Sequence, residues 1–215
     1  MPVTYRVERS DGSSQSLPVV DGKVAADSSD PSRVVDLPAG HIVPGLRDAH
    51  FHPITYAASL VVPSLKAATD FADIEARLKG AGTALAPGTP MSAIRLDDES
   101  LAEGRLPTRH DLDEMLPDRP LIIHRYCGHI AMANSAALQV AGVTAETTDP
   151  VGGTLDRDEH GEPTGVLREM AIELVSLPLA DQAGPAVTDD QVVDARYALA
   201  SVGLTSIGGI VGCGD

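Results

Sequence analysis

Tryptophan is absent from this chain, and two phenylalanines and four tyrosines bring the aromatic share to only 3%. The core must therefore rest on Ala, Val, Leu and Ile. Cysteine is nearly as scarce. Cys127 and Cys213 stand far apart in sequence, which excludes a metal-type cysteine pair and gives no reason to expect an oxidising compartment. Basic residues are outnumbered, 16 against 31 acidic, leaving a formal charge of −15. With no basic patch in view, nucleic acid is excluded as a partner, and the charge favours solubility. Long hydrophobic runs are missing too. The longest mostly apolar stretch, 54–62, is too short to cross a bilayer, so no membrane partner is expected. The start, Met1-Pro2-Val3-Thr4-Tyr5-Arg6, lacks a basic-then-apolar signal pattern. A cytoplasmic location is the default expectation.

What is present describes an ordinary globular protein: 215 residues, 43% apolar and 22% charged, enough for one good-sized core or two small ones. Residues 1–45 read as short β segments at 3–7, 17–20 and 34–37, with Asp21-Gly22 as a hairpin turn. Residues 54–86 are mostly helical in pattern, with Ala68, Phe71, Ile74 and Leu78 near helical spacing. A strand is expected at 92–96 and another at 121–124. Thr108 and Asp111 form a capping box for a short helix through Leu116. Asn134 caps a helix running to Ala141, and Gly142 suits its left-handed end. Segments 154–158 and 164–167 flank a hairpin at Glu159-His160-Gly161, and a helix follows from Glu169 to about Ser176. The clearest helix opens with the capping box of Thr188 and Gln191, carries Val192, Ala195, Leu199 and Val202 as its stripe, and ends at Gly203. A strand at 204–210 closes the pattern.

The segment Val43-Pro44-Gly45-Leu46-Arg47-Asp48-Ala49-His50-Phe51-His52-Pro53 is the most informative. It reads as a buried strand, on which side chains alternate faces, so His50 and His52 point the same way with Asp48 below them. Two imidazoles converging on one point suit a divalent metal, and zinc is the expected ion. A bare His-x-His is more often a pair of core or surface histidines; the flanks decide for metal. A Pro-Gly turn feeding a strand that ends in Asp-Ala-His-x-His-Pro resembles the first barrel strand of the amidohydrolase superfamily.

Further segments resemble the amidohydrolase-3 branch, which includes N-substituted formamide deformylases. They are Asp98-Glu99-Ser100, Gly104-Arg105-Leu106-Pro107-Thr108-Arg109 with Asp111-Leu112-Asp113, Gly128-His129, and Asn134-Ser135-Ala136-Ala137-Leu138. Asp149-Pro150-x-Gly152-Gly153 and Gly161-x-Pro163-Thr164-Gly165-Val166-Leu167-x-Glu169 follow in family order. The similarity runs from about residue 17 onward and implies the amino-terminal portion of such an enzyme. The implied fold class is α/β: a partial metal-dependent hydrolase (β/α) barrel with two barrel strands, an N-terminal β layer and a large α+β insertion. On that map residues 1–45 belong to the small β domain, 46–53 to barrel strand one and 54–185 to the insertion. Residues 186–215 supply a barrel helix and the next strand, where the barrel is truncated.

The chain departs from the family at two points. Leu96-Asp97 stands where relatives usually carry a tryptophan before Asp-Glu-Ser, and Arg47 replaces a small or apolar residue. The lysine, later histidines and late aspartate of family members lie beyond the region matched. The resemblance implies hydrolysis of a non-peptide, amide or formamide carbon–nitrogen bond in a small molecule. The alternative is a catalytically silent fragment that needs a complementing chain, or acts as a homo-oligomer. His50 and His52 are the expected metal ligands. Asp48 either orients an imidazole by accepting its other N–H or makes a structural bond at the barrel bottom, and the sequence leaves both open. By resemblance His129 faces the substrate from the insertion; otherwise it is a loop histidine packed against the Asn134 helix. Glu169, read as the start of a helix, is the weaker candidate. His41, His110, His124 and His160 are expected to be structural or solvated, and Cys127 has no partner base.

Overall fold

A computed structural model describes residues 2–26, 33–183 and 187–209. The chain divides into two compact units, one of residues 1–49 with 200–208 and the other of 50–199 with 209–215.

In the first unit, β1 (Val3–Glu8), β2 (Ser14–Val20), β3 (Lys23–Val24) and β4 (Val34–Leu37) form a sheet ordered β3-β2-β1-β4. β1 runs antiparallel to β2, with Tyr5 opposite Leu17, and parallel to β4. Asp21-Gly22 makes the turn between β2 and β3, both residues at positive φ. The segment leading out of this sheet is tied back by Gln15, whose amide bonds both the C=O and the N–H of Ile42, at 3.0 and 3.1 Å. Next comes β5 (Leu46–Phe51), which pairs with β11 (Leu204–Gly209) as a two-stranded sheet. Gly45 permits their close approach: a Cβ there would lie 2.0 Å from Thr205 Oγ1. β5 is mostly exposed, contrary to the buried strand expected, because β11 is its single sheet neighbour among the described residues. The closing strand is observed through Gly209, and Ile210 and Cys213 lie outside the described residues.

The second unit is built on a five-stranded sheet ordered β6-β7-β8-β10-β9. Its strands are β6 (Met91–Leu96), β7 (Leu121–Arg125), β8 (Ile130–Ala133), β9 (Gly153–Arg157) and β10 (Pro163–Glu169). β6 and β7 are parallel, and the remaining neighbours antiparallel. Alternation divides the core between the two faces. Leu121, Ile123, Met132 and Val166 pack with Ile74 and Leu78 of α2 (Phe71–Gly82) and Leu112 of α3 (Arg109–Met115). Ile122, Ala131, Ala133 and Leu167 face the other way, toward Leu138 of α4 (Ser135–Ala141) and Val175 of α5 (Glu173–Ala183). Each fully buried Leu or Ile contributes about 1.5–3 kcal/mol, so this aliphatic core needs no large ring.

Four local expectations change. The helical stretch over 54–86 is two helices, α1 (Pro53–Ser59) and α2, because Asp70 caps Phe71 onward by accepting the Asp73 N–H at 2.8 Å. Between them Leu65 N–H bonds Ile94 C=O at 2.8 Å, giving the segment to the sheet. β8 was not expected: after Ile130 its Ala-Met-Ala has little strand propensity, and pairing on both sides decides its conformation. Glu169 ends β10 rather than opening a helix; a 3-10 turn, Met170–Ile172, precedes α5. The stripe of α6 (Asp189–Ser201) is only partly buried, since Ala195 is covered while Val202 beyond its end is exposed.

Candidate active site

β5 and α1 meet at His52, and Pro53 explains the junction. A residue before proline is pushed out of the helical region, and His52 accordingly sits at φ −104°, ψ 88°. It therefore keeps the alternation of the strand instead of turning with the helix, and its side chain makes no capping bond. The His50 and His52 rings lie 5.4 Å apart, centre to centre, at an interplanar angle of 62°. Both residues are exposed. Asp48, two residues earlier on β5, is half-buried. Among the described residues no group of three or more His, Cys, Asp or Glu side chains is arranged to hold a metal ion.

The two other expected residues, 40 positions apart, come together. His129 Nδ1 lies 2.9 Å from Glu169 Oε2. The backbone explains the pairing: β8 and β10 are antiparallel neighbours, and Glu169 N–H donates to His129 C=O at 2.9 Å. Glu169 is held at φ 51°, ψ −126°, a conformation that side-chain-bearing residues rarely adopt. Strain of that kind is found where surrounding structure dictates a residue's position.

Next to His129, the turn after β7 carries a charged cluster. Arg125 donates to Asp98 Oδ1 at 2.5 Å and Glu99 Oε1 at 2.9 Å, and its guanidinium lies 4.5 Å from the Tyr126 ring centre. The Asp98 carboxylate, and after it the bond to Cys127, hold the guanidinium more firmly protonated than usual. Burial pushes the Cys127 thiol up, but the His129 N–H and the Arg125 guanidinium outweigh it and leave the thiol below its usual value. His124, on β7, is held below the ordinary imidazole value by burial.

A cavity of about 730 Å³ opens in this unit. Thr55 and Ala58 of α1, Leu85, Ile94, His124 and Gly128 are among its walls. It was not foreseen, because its walls come from segments spread over 55–183 and no local pattern marks them. His124, expected to be structural or solvated, is part of that wall.

A model of the Amidohydrolase family matches residues 33–214. Over 158 residues the chain is 33% identical to the N-substituted formamide deformylase of Arthrobacter pascens, covering 73% of this chain and 28% of that protein. Over 142 residues it is 36% identical to the protein LONG AFTER FAR-RED 3 of Arabidopsis thaliana, covering 66% and 24%. A metal-dependent hydrolase from Pyrococcus furiosus shares the fold, with a TM-score of 0.63 at 23% identity, over 98% of this chain and 44% of that one. The chain thus spans less than a third of the length of the curated relatives it matches.

Proposed function

This chain belongs to the Amidohydrolase family, and on that premise we propose that it forms part of a metal-dependent hydrolase acting on amide- or formamide-type carbon–nitrogen bonds of small molecules. Residues 46–53 act as the first barrel strand, 54–185 as an inserted subdomain, and 186–215 as the next helix and strand. The observation that carries the reading is the placement of the His50 and His52 rings 5.4 Å apart on one side of the end of β5. Two exposed imidazoles side by side fit two corners of a tetrahedral zinc site. When bound there, such an ion supplies a Lewis acid for the substrate carbonyl and for the attacking water.

The chain's own residues do the rest. Asp48 orients an imidazole by accepting its second N–H. The Glu169 carboxylate holds a proton on His129 Nδ1, which leaves Nε2 as the atom offered to substrate for proton exchange.

The test is zinc content of the purified chain beside His50→Ala and His52→Ala, together with turnover of a formamide and amide panel. Zinc held by the parent and lost from both variants supports the reading; zinc content indifferent to both substitutions rejects it. A second reading is favoured by one observation, the lack of a third ligand beside the pair among the described residues. On that reading the remaining donors and the base come from a complementing polypeptide or another copy. Turnover that appears only on adding the later part of a relative would establish it.

A further inference from the structure

We infer that the 730 Å³ cavity receives a ligand with an apolar body and a carboxylate end, held at its mouth by Arg95 and Lys66. β6 and β7 are in register from Met91 to Ala93 and again at Leu96, where Leu96 faces Arg125. Between these points the register shifts, and Arg95 takes φ +64°. Glycine is the residue that adopts this backbone freely, and a bulge re-aims the side chain it carries. An arginine held there is strained, and Arg95 lines both this cavity and a second one of about 390 Å³.

That second cavity is lined by Lys66, Arg95, Asp97 and Tyr126. Asp97 is already engaged, accepting from Glu99 N–H at 3.3 Å and Ser100 Oγ at 2.7 Å. The Arg95 and Lys66 side chains make no ion pair or hydrogen bond among the described residues, although the chain carries 31 acidic residues and a charge of −15. Nearby Arg125, by contrast, is doubly paired. Two uncommitted cations at the rim of a mainly apolar space suit an anion that carries a hydrophobic tail. A single carboxylate matches the planar fork of Arg95 with Lys66 as a second point charge.

The position gives this ligand a role. Thr55 and Ala58, on the cavity wall, belong to the helix that begins directly after His52, and Gly128 on the same wall precedes His129. The bound molecule is then the non-reacting portion of an amide substrate, an assignment that rests on the hydrolase reading. The binding itself does not.

Calorimetric titration of the metal-free chain with decanoate, decanol and decylamine tests it. Decanoate is expected to bind about ten-fold or more tighter than decanol, with decylamine weakest. Arg95→Gly keeps the bulge, since glycine accepts its backbone, and should abolish the preference for decanoate while leaving decanol affinity unchanged. Lys66→Gln should lose a smaller part. The proposal is overturned if decanoate does not bind, if it binds no tighter than decanol, or if Arg95→Gly weakens both alike. No turnover or metal enters the measurement, so failure here leaves the hydrolase reading standing. Zinc content indifferent to His50→Ala and His52→Ala, with decanoate still bound, would reject that reading alone.

Discussion

His129 and Glu169 are joined twice, by the 2.9 Å contact between Nδ1 and Oε2 and by a 2.9 Å bond from the Glu169 N–H to the His129 carbonyl. Both side chains are mostly exposed, so the contact adds little stability. Meanwhile the Glu169 backbone at φ 51°, ψ −126° costs about 1–3 kcal/mol. Glu169→Gly is therefore expected to raise the melting temperature, and Glu169→Gln to leave it unchanged. Both should lower hydrolysis by about 100-fold if the carboxylate sets the His129 tautomer. Thermal melts of the two variants decide the structural half: a lower melting temperature for Glu169→Gly would show that no strain is stored there.

Asn134 is fully buried, and its side chain makes four hydrogen bonds. Its Oδ1 accepts from Leu121 N–H at 3.0 Å and Ala137 N–H at 2.9 Å, while Nδ2 donates to the carbonyls of Leu116 at 3.2 Å and Arg119 at 2.9 Å. One side chain thus caps α4 and fastens the α3–β7 loop. Asn134→Ala is expected to cost about 3 kcal/mol, because it removes a cap and orphans buried backbone groups. Asn134→Asp should do no better, since it sets an acceptor against two carbonyls. Urea unfolding of both proteins measures this.

Gly165 lies in β10 at φ +92°, and an added Cβ would sit 2.4 Å from Ala133 O and 2.9 Å from the Arg109 backbone N. Neither neighbour is a flexible side-chain tip. Gly165→Ala should destabilise by about 3 kcal/mol through strain and overpacking together. A variant that unfolds at the parent's denaturant midpoint would contradict the close approach of β10 to β8 and α3.

Acid should weaken the α3 cap only below the ordinary carboxylate range. Arg105 grips Asp111 with two bonds, at 2.7 and 2.8 Å, and Thr108 adds to them, which holds the carboxyl well below its usual range despite partial burial. A carboxylate with a depressed folded-state pKa contributes stability above its unfolded value of 3.8 and loses it as pH falls below that. Asp111→Asn should therefore be less stable than the parent at neutral pH, and the gap should close as pH drops below 3.8. Denaturant midpoints across that window test the sign; a gap that widens in acid is the contrary result.

Much of the local structure was legible. The Thr108 and Asn134 caps, the left-handed Gly142 at φ +67° and the Asp21-Gly22 turn each depend on side chains within a few residues of the backbone they serve. The relation of His50 to His52 was legible for the same reason, since alternation and Pro53 act locally. β8 was not, because Ala131, Met132 and Ala133 are weak strand formers held in place by β7 and β10. Nor was the Glu169 conformation, which follows from β10 meeting β8 and β9 before the chain turns into α5.

Composition and short-range pattern alone determined an aliphatic core, an acidic surface, the helix ends and a histidine pair at the close of a strand, because each depends on chemistry within one turn or one pleat. Tertiary structure decided that His129 meets Glu169 across 40 residues, that Arg95 is bent out of register, and that a cavity opens between α1, β6 and β7. Those features arise where separate elements compete for the same space, and burial and hydrogen bonding over the whole sheet settle which one yields.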